Sequence, residues 1–303
     1  MLNNLSLAWI RESLSHVLAA DSTYAFCAFL SYIASILLYA LRWAIVLRNR
    51  GIPHKFYDVA ASYYISILVN NLTPSTRAGG EFIRVAYIHL KSRARILDLV
   101  NTIAFERITE AVPVIGIAIA AIGLGIIGGG KIYTLVAGLL VVATLSLLSL
   151  KYWDKLMEYV IKRLEKRIPR EKLQQPSFKL KDLLNNRYLT VVAIAVSTLV
   201  WILDLARIYL VALSVGVTLS IPVLFSVTIS YILLGVFSVT PGGLGIVEGG
   251  LTGILVAFGV DPSRALAITI IERTITFLVA SAISLVVLGL AGGSKLWRNL
   301  RQI

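Results

Sequence analysis

The chain alternates between long apolar runs and short polar breaks. Apolar runs cover about 23–47, 57–72, 96–127, 131–150, 188–213, 222–239 and 263–290, with shorter pieces at 80–90 and 246–258. They are continuous and lack the period-two alternation of barrel strands, so they predict helices in a bilayer whose hydrocarbon is about 30 Å thick. Residues 1–21 differ. Leu5, Leu7, Trp9, Ile10, Leu14, Val17 and Leu18 interleave with polar groups there, the pattern of an amphipathic segment lying at the interface.

The breaks hold costly residues, and they hold them twice. Thr73-Pro74, Glu81 and Glu106-Arg107 in the first half reappear as Thr240-Pro241, Glu248 and Glu272-Arg273 in the second. Pro74 to Glu81 is 7 residues, as is Pro241 to Glu248; Glu81 to Glu106 is 25, and Glu248 to Glu272 is 24. Glu106 falls 10 residues after Ile96, about 15 Å along a helix, and Glu272 lies 9 residues after Ser263, so both come near mid-bilayer. Repeated ionisable residues at that depth predict a duplicated membrane unit with a polar site built from both copies.

Charge orients the runs. Arg48, Arg50, His54 and Lys55 follow the first span, and Lys91, Arg93 and Arg95 follow the 80–90 piece. Both clusters are cytoplasmic if the chain turns back inside the membrane between Pro74 and Gly80, which predicts a re-entrant hairpin there. Residues 151–187 hold 11 Lys or Arg against 5 Asp or Glu and read as a cytoplasmic linker beside anionic headgroups. Arg298 and Arg301 put the C-terminus on the same side.

The organisation expected is therefore an interfacial segment 1–22 and a first repeat 23–127 turning about 73–81. A connecting span 128–150, the basic loop 151–187, a second repeat 188–290 turning about 240–248, and a cytoplasmic tail 291–303 follow. Unit one starts outside and unit two inside. The fold class is an all-α polytopic membrane protein of the plasma membrane. It is an inverted repeat, each unit holding a re-entrant helical hairpin, an architecture that suits alternating access.

Composition supports this picture. Hydrophobic residues make up 57% of 303, against about 45–50% in soluble domains; mean hydropathy is +0.82. The formal charge of +13 sits mainly in the loops, where positive-inside sorting explains it better than nucleic-acid binding. One cysteine, Cys27, and the scattered His16, His54 and His89 predict neither a disulfide nor a metal site, and no cofactor is expected. Arg11, Glu12 and His16 interrupt the first apolar stretch, so no cleavable signal peptide is expected.

Two roles fit the buried charges. Adjacent residues on a helix point about 100° apart, so Glu106-Arg107 and Glu272-Arg273 need partners from elsewhere; Arg107 also reaches Glu110 at i+3. The expectation is a network across the repeats involving Glu81 and Glu248, either lining a substrate path or pinning the hairpins. The turn residues Pro74, Gly79, Gly80, Pro241, Gly242, Gly243 and Gly245 break helices, and a broken helix offers free N–H groups to an anion. Arg77, Arg84, Arg107 and Arg273 are the candidate phosphate contacts. Glu81, Glu106, Glu248 and Glu272 are candidates for a charge network or proton coupling. Arg42, Asp204 and Arg207 form a second tier, with Arg42 and Arg207 read as snorkelling near span ends.

At these residues the chain resembles the transmembrane flippase region of the lysylphosphatidylglycerol synthase family. The likeness rests on Pro74, Arg77, Gly79-Gly80, Glu81 and Arg84, on Glu106-Arg107, on the Pro-Gly-Gly-x-Gly-x-x-Glu turn from Pro241 to Glu248, and on Glu272-Arg273. It covers nearly the whole chain. It departs in lacking the usual first transmembrane helix and the soluble aminoacyl-transferase domain, so lysine transfer to lipid is not expected. One extra residue stands between Arg77 and Glu81.

The resemblance implies translocation of an anionic lipid, either a phospholipid derivative or a polyprenyl-phosphate carrier. It leaves room for a homo-oligomer or a partner synthase. The alternative is a membrane enzyme or enzyme subunit acting on lipid-linked sugars or headgroups, with carboxylates as acid and base.

Overall fold

The computed structural model describes residues 2–73, 78–128, 176–238 and 240–292. Among the described residues the regular elements are helices, with no strand. They are α1 (Leu2–Leu18), α2 (Ser22–Asn49), α3 (Phe56–Leu72), α4 (Ala78–Ser92), α5 (Ile96–Gly128), α6 (Leu180–Leu184), α7 (Arg187–Ser214) and α8 (Ile221–Phe237). A 3-10 turn (Pro241–Gly243) and α9 (Ile246–Ala257) follow. A last rod joins α10 (Pro262–Arg273), a π-helical stretch (Thr274–Val279) and α11 (Ala280–Leu290).

Local chemistry sets the starts. The Asp21 carboxylate accepts from the Thr23 N–H at 2.8 Å to begin α2, and the Asn186 side chain accepts from Leu189 N–H at 3.1 Å to begin α7. Asp261 does the same for α10 through the N–H groups of Ser263 and Arg264. The helices Ser22–Asn49, Arg187–Ser214 and Pro262–Leu290 are each long and apolar enough to cross a membrane. At 1.5 Å per residue, 28 residues reach about 42 Å, enough to cross with tilt.

The halves α2–α5 and α7–α11 repeat one order: a long helix, two short ones, and a long one. Contacts between them reciprocate. α2 packs on α7, α3 on α11, and α8 on α5; within each half α3 packs on α4 and α8 on α9.

The ends fix directions. Asp21 N–H donates to Ser214 C=O at 2.8 Å at one end of the α2–α7 pair, and Asn186 meets Asn49 at 3.5 Å at the other, so these helices are antiparallel. Asp58 at the start of α3 pairs with Lys91 at the end of α4 at 3.5 Å, so that pair also runs antiparallel with its open end beside the α2 C-terminus. Arg50 lies over the Phe178 ring at 4.8 Å, and Asn101 holds the Phe178 carbonyl at 2.9 Å. Arg48, Arg50, Lys55, Lys91, Lys179 and Lys181 thus share one face.

Two apolar clusters pack the bundle. Trp43, Leu47, Leu99, Phe105 and Leu183 are buried in one cluster; Val211, Val227, Leu251, Leu255 and Ile268 are buried in another.

Helix limits fall within a residue or two of the expected spans. The expected span 128–150, most of the basic loop, the turn at Pro74 to Arg77 and the tail from 293 lie outside the described residues. Gly79 and Gly80 were expected in a turn, and they occupy the first turn of α4. Asn70 explains this: its side-chain oxygen accepts the Gly80 N–H at 2.8 Å, and a Cβ on Gly80 would overlap the Asn70 amide. The helix can start there because glycine lets α3 approach so closely.

Candidate functional site

In the first half, Glu106 of α5 is fully buried and is met from three helices. Arg42 of α2 donates through Nε at 3.2 Å, Arg84 of α4 through Nη2 at 2.6 Å, and the Tyr63 hydroxyl of α3 at 3.0 Å. Arg84 also donates to Glu81 at 2.8 Å and to the Tyr63 hydroxyl at 2.6 Å. Its guanidinium stacks 3.7 Å from the Tyr63 centroid and 4.3 Å from Trp43. Arg84 is thus held by two carboxylates and two rings, while its buried Nε meets no hydrogen-bond partner among the described residues. Arg107, on the next face of α5, bridges Glu81 at 3.0 Å and Glu110 at 2.8 Å; its side chain remains 42% exposed.

In the second half, Glu272 of α10 pairs with Arg207 of α7 at 2.6 Å, and Arg207 also meets Asp204 at 3.2 Å. Arg273 donates through Nε to Glu248 at 2.6 Å and through Nη2 to the Gly242 carbonyl at 2.7 Å. Glu248 also accepts the Gly245 N–H at 2.6 Å, so the N-terminus of α9 carries its own carboxylate. The π-helical stretch begins directly after Arg273, a local irregularity of the kind found at functional sites.

The turn at Pro241 closes on the first half. Gly242 has φ +58°, and a Cβ there would overlap the Phe277 ring and stand 3.1 Å from the Asn71 carbonyl. Only glycine combines that backbone angle with that approach. Asn71 further donates to Ser281 at 2.9 Å.

The two clusters meet in one cavity of about 270 Å³. Arg84, Arg107, Glu81 and Glu110 line it from the first half; Asp204, Arg207, Arg273 and Thr276 line it from the second. Asn70 and Asn71 near the end of α3, and Thr240 and Gly242 at the second turn, also line it. Its chemistry is a row of guanidinium groups held in position by carboxylates, open to polar exchange through Arg107.

The pairing differs from the expected network. Glu106 and Arg107 find these partners inside the first half, and Glu272 and Arg273 inside the second. The halves are joined by Arg42 donating to Ser197 at 2.6 Å and by Arg207 lying 5.5 Å from the Tyr32 centroid. Arg42 and Arg207 do not snorkel. They are 1% and 4% exposed, because each is claimed by a buried glutamate. Arg42 lies 7 residues before Asn49, about 10 Å from its helix end, too deep for its charge to reach water. Pro74 and Arg77 lie outside the described residues. Tyr39, Tyr63, Ser197, Tyr32 and Tyr231 were not anticipated. The signal for Tyr63 was faint: two adjacent tyrosines in an apolar run.

These features define a multi-pass helical membrane protein with a charged cavity between two similarly ordered halves. The chain belongs to the family described as the lysylphosphatidylglycerol synthase TM region, whose model matches residues 5–284. It is 28% identical over 301 residues to a UPF0104 membrane protein of Methanothermobacter thermautotrophicus, covering 91% of this chain and 87% of that one. A UPF0104 membrane protein of Pyrococcus horikoshii is 25% identical over 300 residues, covering 90% and 89%. One of Methanocaldococcus jannaschii is 24% identical, covering 84% and 81%.

Proposed function

We propose that this protein carries an anionic lipid across the bilayer by alternating access between two inverted repeats, each with a re-entrant helical hairpin. The observation that carries the proposal is the single cavity to which both halves contribute guanidinium groups, among them Arg107 and Arg273. The antiparallel α2–α7 pair and the reciprocal packing of α3 on α11 and α8 on α5 support the inversion. The basic face, with the loop 151–187 and the C-terminus, is cytoplasmic by the positive-inside rule.

A phosphate entering the cavity exchanges with carboxylates on Arg107, the most exposed of the guanidinium groups, and reaches Arg273 on the far wall. Arg84, enclosed by Glu81, Glu106 and Tyr63, positions these groups. The cavity admits a headgroup, and the apolar chains stay in the bilayer. The lipid is a phospholipid derivative or a polyprenyl-phosphate carrier. Rocking one repeat against the other opens the cavity to each side in turn.

Reconstitution into vesicles with headgroup-labelled phosphatidylglycerol tests this. Transbilayer movement that falls in Arg107→Ala and Arg273→Ala, with the fold retained, supports the proposal. Formation of a modified lipid without movement would favour a membrane enzyme and refute it.

A further inference from the structure

The last helix of each half carries a weak point within two turns of its Glu-Arg pair. In the first half that helix is α5, and Pro113, buried inside it, stands six residues after Arg107. Proline brings no N–H to the carbonyl four residues back, so the Thr109 C=O loses its helical partner. In the second half the π-helical stretch Thr274–Val279 ends six residues after Arg273. A threonine loosens the ladder at both places. Thr109 Oγ1 donates to the Phe105 and Glu106 carbonyls, each at 3.1 Å, and Thr276 Oγ1 donates to the Glu272 carbonyl at 2.8 Å. Such back-bonding to a helix's own carbonyls bends it.

Packing changes partner at the same two points. Before Pro113, Leu99, Ile103 and Phe105 are buried with Trp43 and Leu47 of their own half. After it, Ile117 and Ala118 are buried with Trp201 of α7 and Ile229 of α8. Before the π-helical stretch, Ile268 and Ile271 are buried with Leu251 and Leu255 of α9. After it, Ile283, Val287 and Leu288 pack on the cluster that holds Trp43 and Leu47, and Asn71 of α3 donates to Ser281 at 2.9 Å. Each of these helices therefore starts in the core of its own half and ends in the core of the other. The weak point lies where it crosses.

We propose that Pro113 and the Thr274–Val279 stretch are paired hinges of the translocating motion. Each hinge lets the end of its helix stay with the opposite half while the start tilts with its own. The inference rests on the translocation reading and assigns the positions about which the halves bend. Glu106-Arg107 and Glu272-Arg273 sit on the tilting side, six residues or about 9 Å from Pro113 and Val279. A bend at the hinges thus moves both Glu-Arg pairs relative to the opposite half. α2 and α7 form the axis between the halves: Ser31 donates to the Leu203 carbonyl at 2.7 Å, and Arg42 to Ser197 at 2.6 Å.

Two changes stiffen the hinges. Pro113→Ala restores the missing N–H. Deletion of Leu278, whose side chain is exposed, removes one residue from the π-helical stretch and returns it to α-helix. The full chain and its variants are reconstituted in phosphatidylcholine vesicles with headgroup-labelled phosphatidylglycerol, and thermal unfolding is followed in the same vesicles. Pro113→Ala and the shortened protein are expected to unfold at or above the wild-type temperature and to move lipid about tenfold more slowly. Pro113→Gly, which keeps the helix pliable, retains movement although it unfolds at a lower temperature. Stability and movement then change in opposite directions, which a merely structural proline does not produce. Wild-type movement that Pro113→Ala and the shortened protein both match overturns the hinges alone. So does a Pro113→Ala protein that loses movement and stability together. If the shortened protein does not fold, the two Pro113 variants decide. Wild-type vesicles in which no labelled lipid moves reject the translocation reading, and the hinges with it.

Discussion

Arg84→Leu removes the guanidinium that satisfies Glu106 while keeping an apolar side chain near Trp43 and Tyr63. The hydrogen bonds lost are those to Glu106 at 2.6 Å, Glu81 at 2.8 Å and the Tyr63 hydroxyl at 2.6 Å. Both Arg84 and Glu106 are essentially inaccessible, so solvent screening gives no relief. Leaving a buried charge with no partner costs about 3–5 kcal/mol; Glu106 keeps Arg42 and the Tyr63 hydroxyl, so the expected loss is smaller, about 2–3 kcal/mol. That is a large share of a typical stability of about 5–15 kcal/mol.

Most of this cost comes from Glu106 itself. Arg84→Leu with Glu106→Gln should therefore recover about 1–3 kcal/mol relative to the single variant, the coupling expected of contacting residues. Denaturant titration in mixed micelles, read by tryptophan fluorescence, measures both. A single variant within about 1 kcal/mol of wild type, or a double variant no better than the single, would refute the reasoning.

Arg107→Ala should behave oppositely: its pairs are partly exposed, so stability changes by about 0–1 kcal/mol while lipid movement falls. Gly242→Ala should cost about 1–3 kcal/mol in thermal unfolding, since φ is +58° and the new Cβ meets Phe277 and Asn71. Gly249→Ala, where nothing lies within 4 Å, serves as its neutral control. Asp261→Ala removes the α10 cap at a cost of about 1 kcal/mol at neutral pH. The Ser263 hydroxyl and the N–H groups of Arg264 and Ser263 hold the Asp261 carboxyl below its ordinary range. Its contribution is thus complete above the ordinary carboxylate pKa and lost as pH falls through the lowered one, so the two proteins converge in strong acid.

The helices were legible because apolar runs and polar breaks set their limits, and the caps Asp21, Asn186 and Asp261 sit at run boundaries. Pro241 marked the turn between α8 and α9, while Pro74 lies outside the described residues. Pairing was not legible. A spacing of 25 residues places Glu81 and Glu106 on successive helices and says nothing about which faces meet, so a network across the halves looked as natural as the one found. Arg42 and Arg207 were misplaced for a related reason: distance along the chain from a span end cannot show that a glutamate on another helix holds the guanidinium in the core. Tyr63, Tyr32 and Ser197 left little trace, since tyrosine and serine are ordinary in membrane helices until a charge is found beside them.

The central claim is that a headgroup passes through the cavity shared by both halves. Ser66 lines that cavity, and the native Cys27 is exposed away from it. In a Cys27→Ala, Ser66→Cys protein reconstituted with headgroup-labelled phosphatidylglycerol, lipid movement should stop once a bulky thiol reagent has modified Cys at that position. Complete modification with undiminished movement would contradict the account.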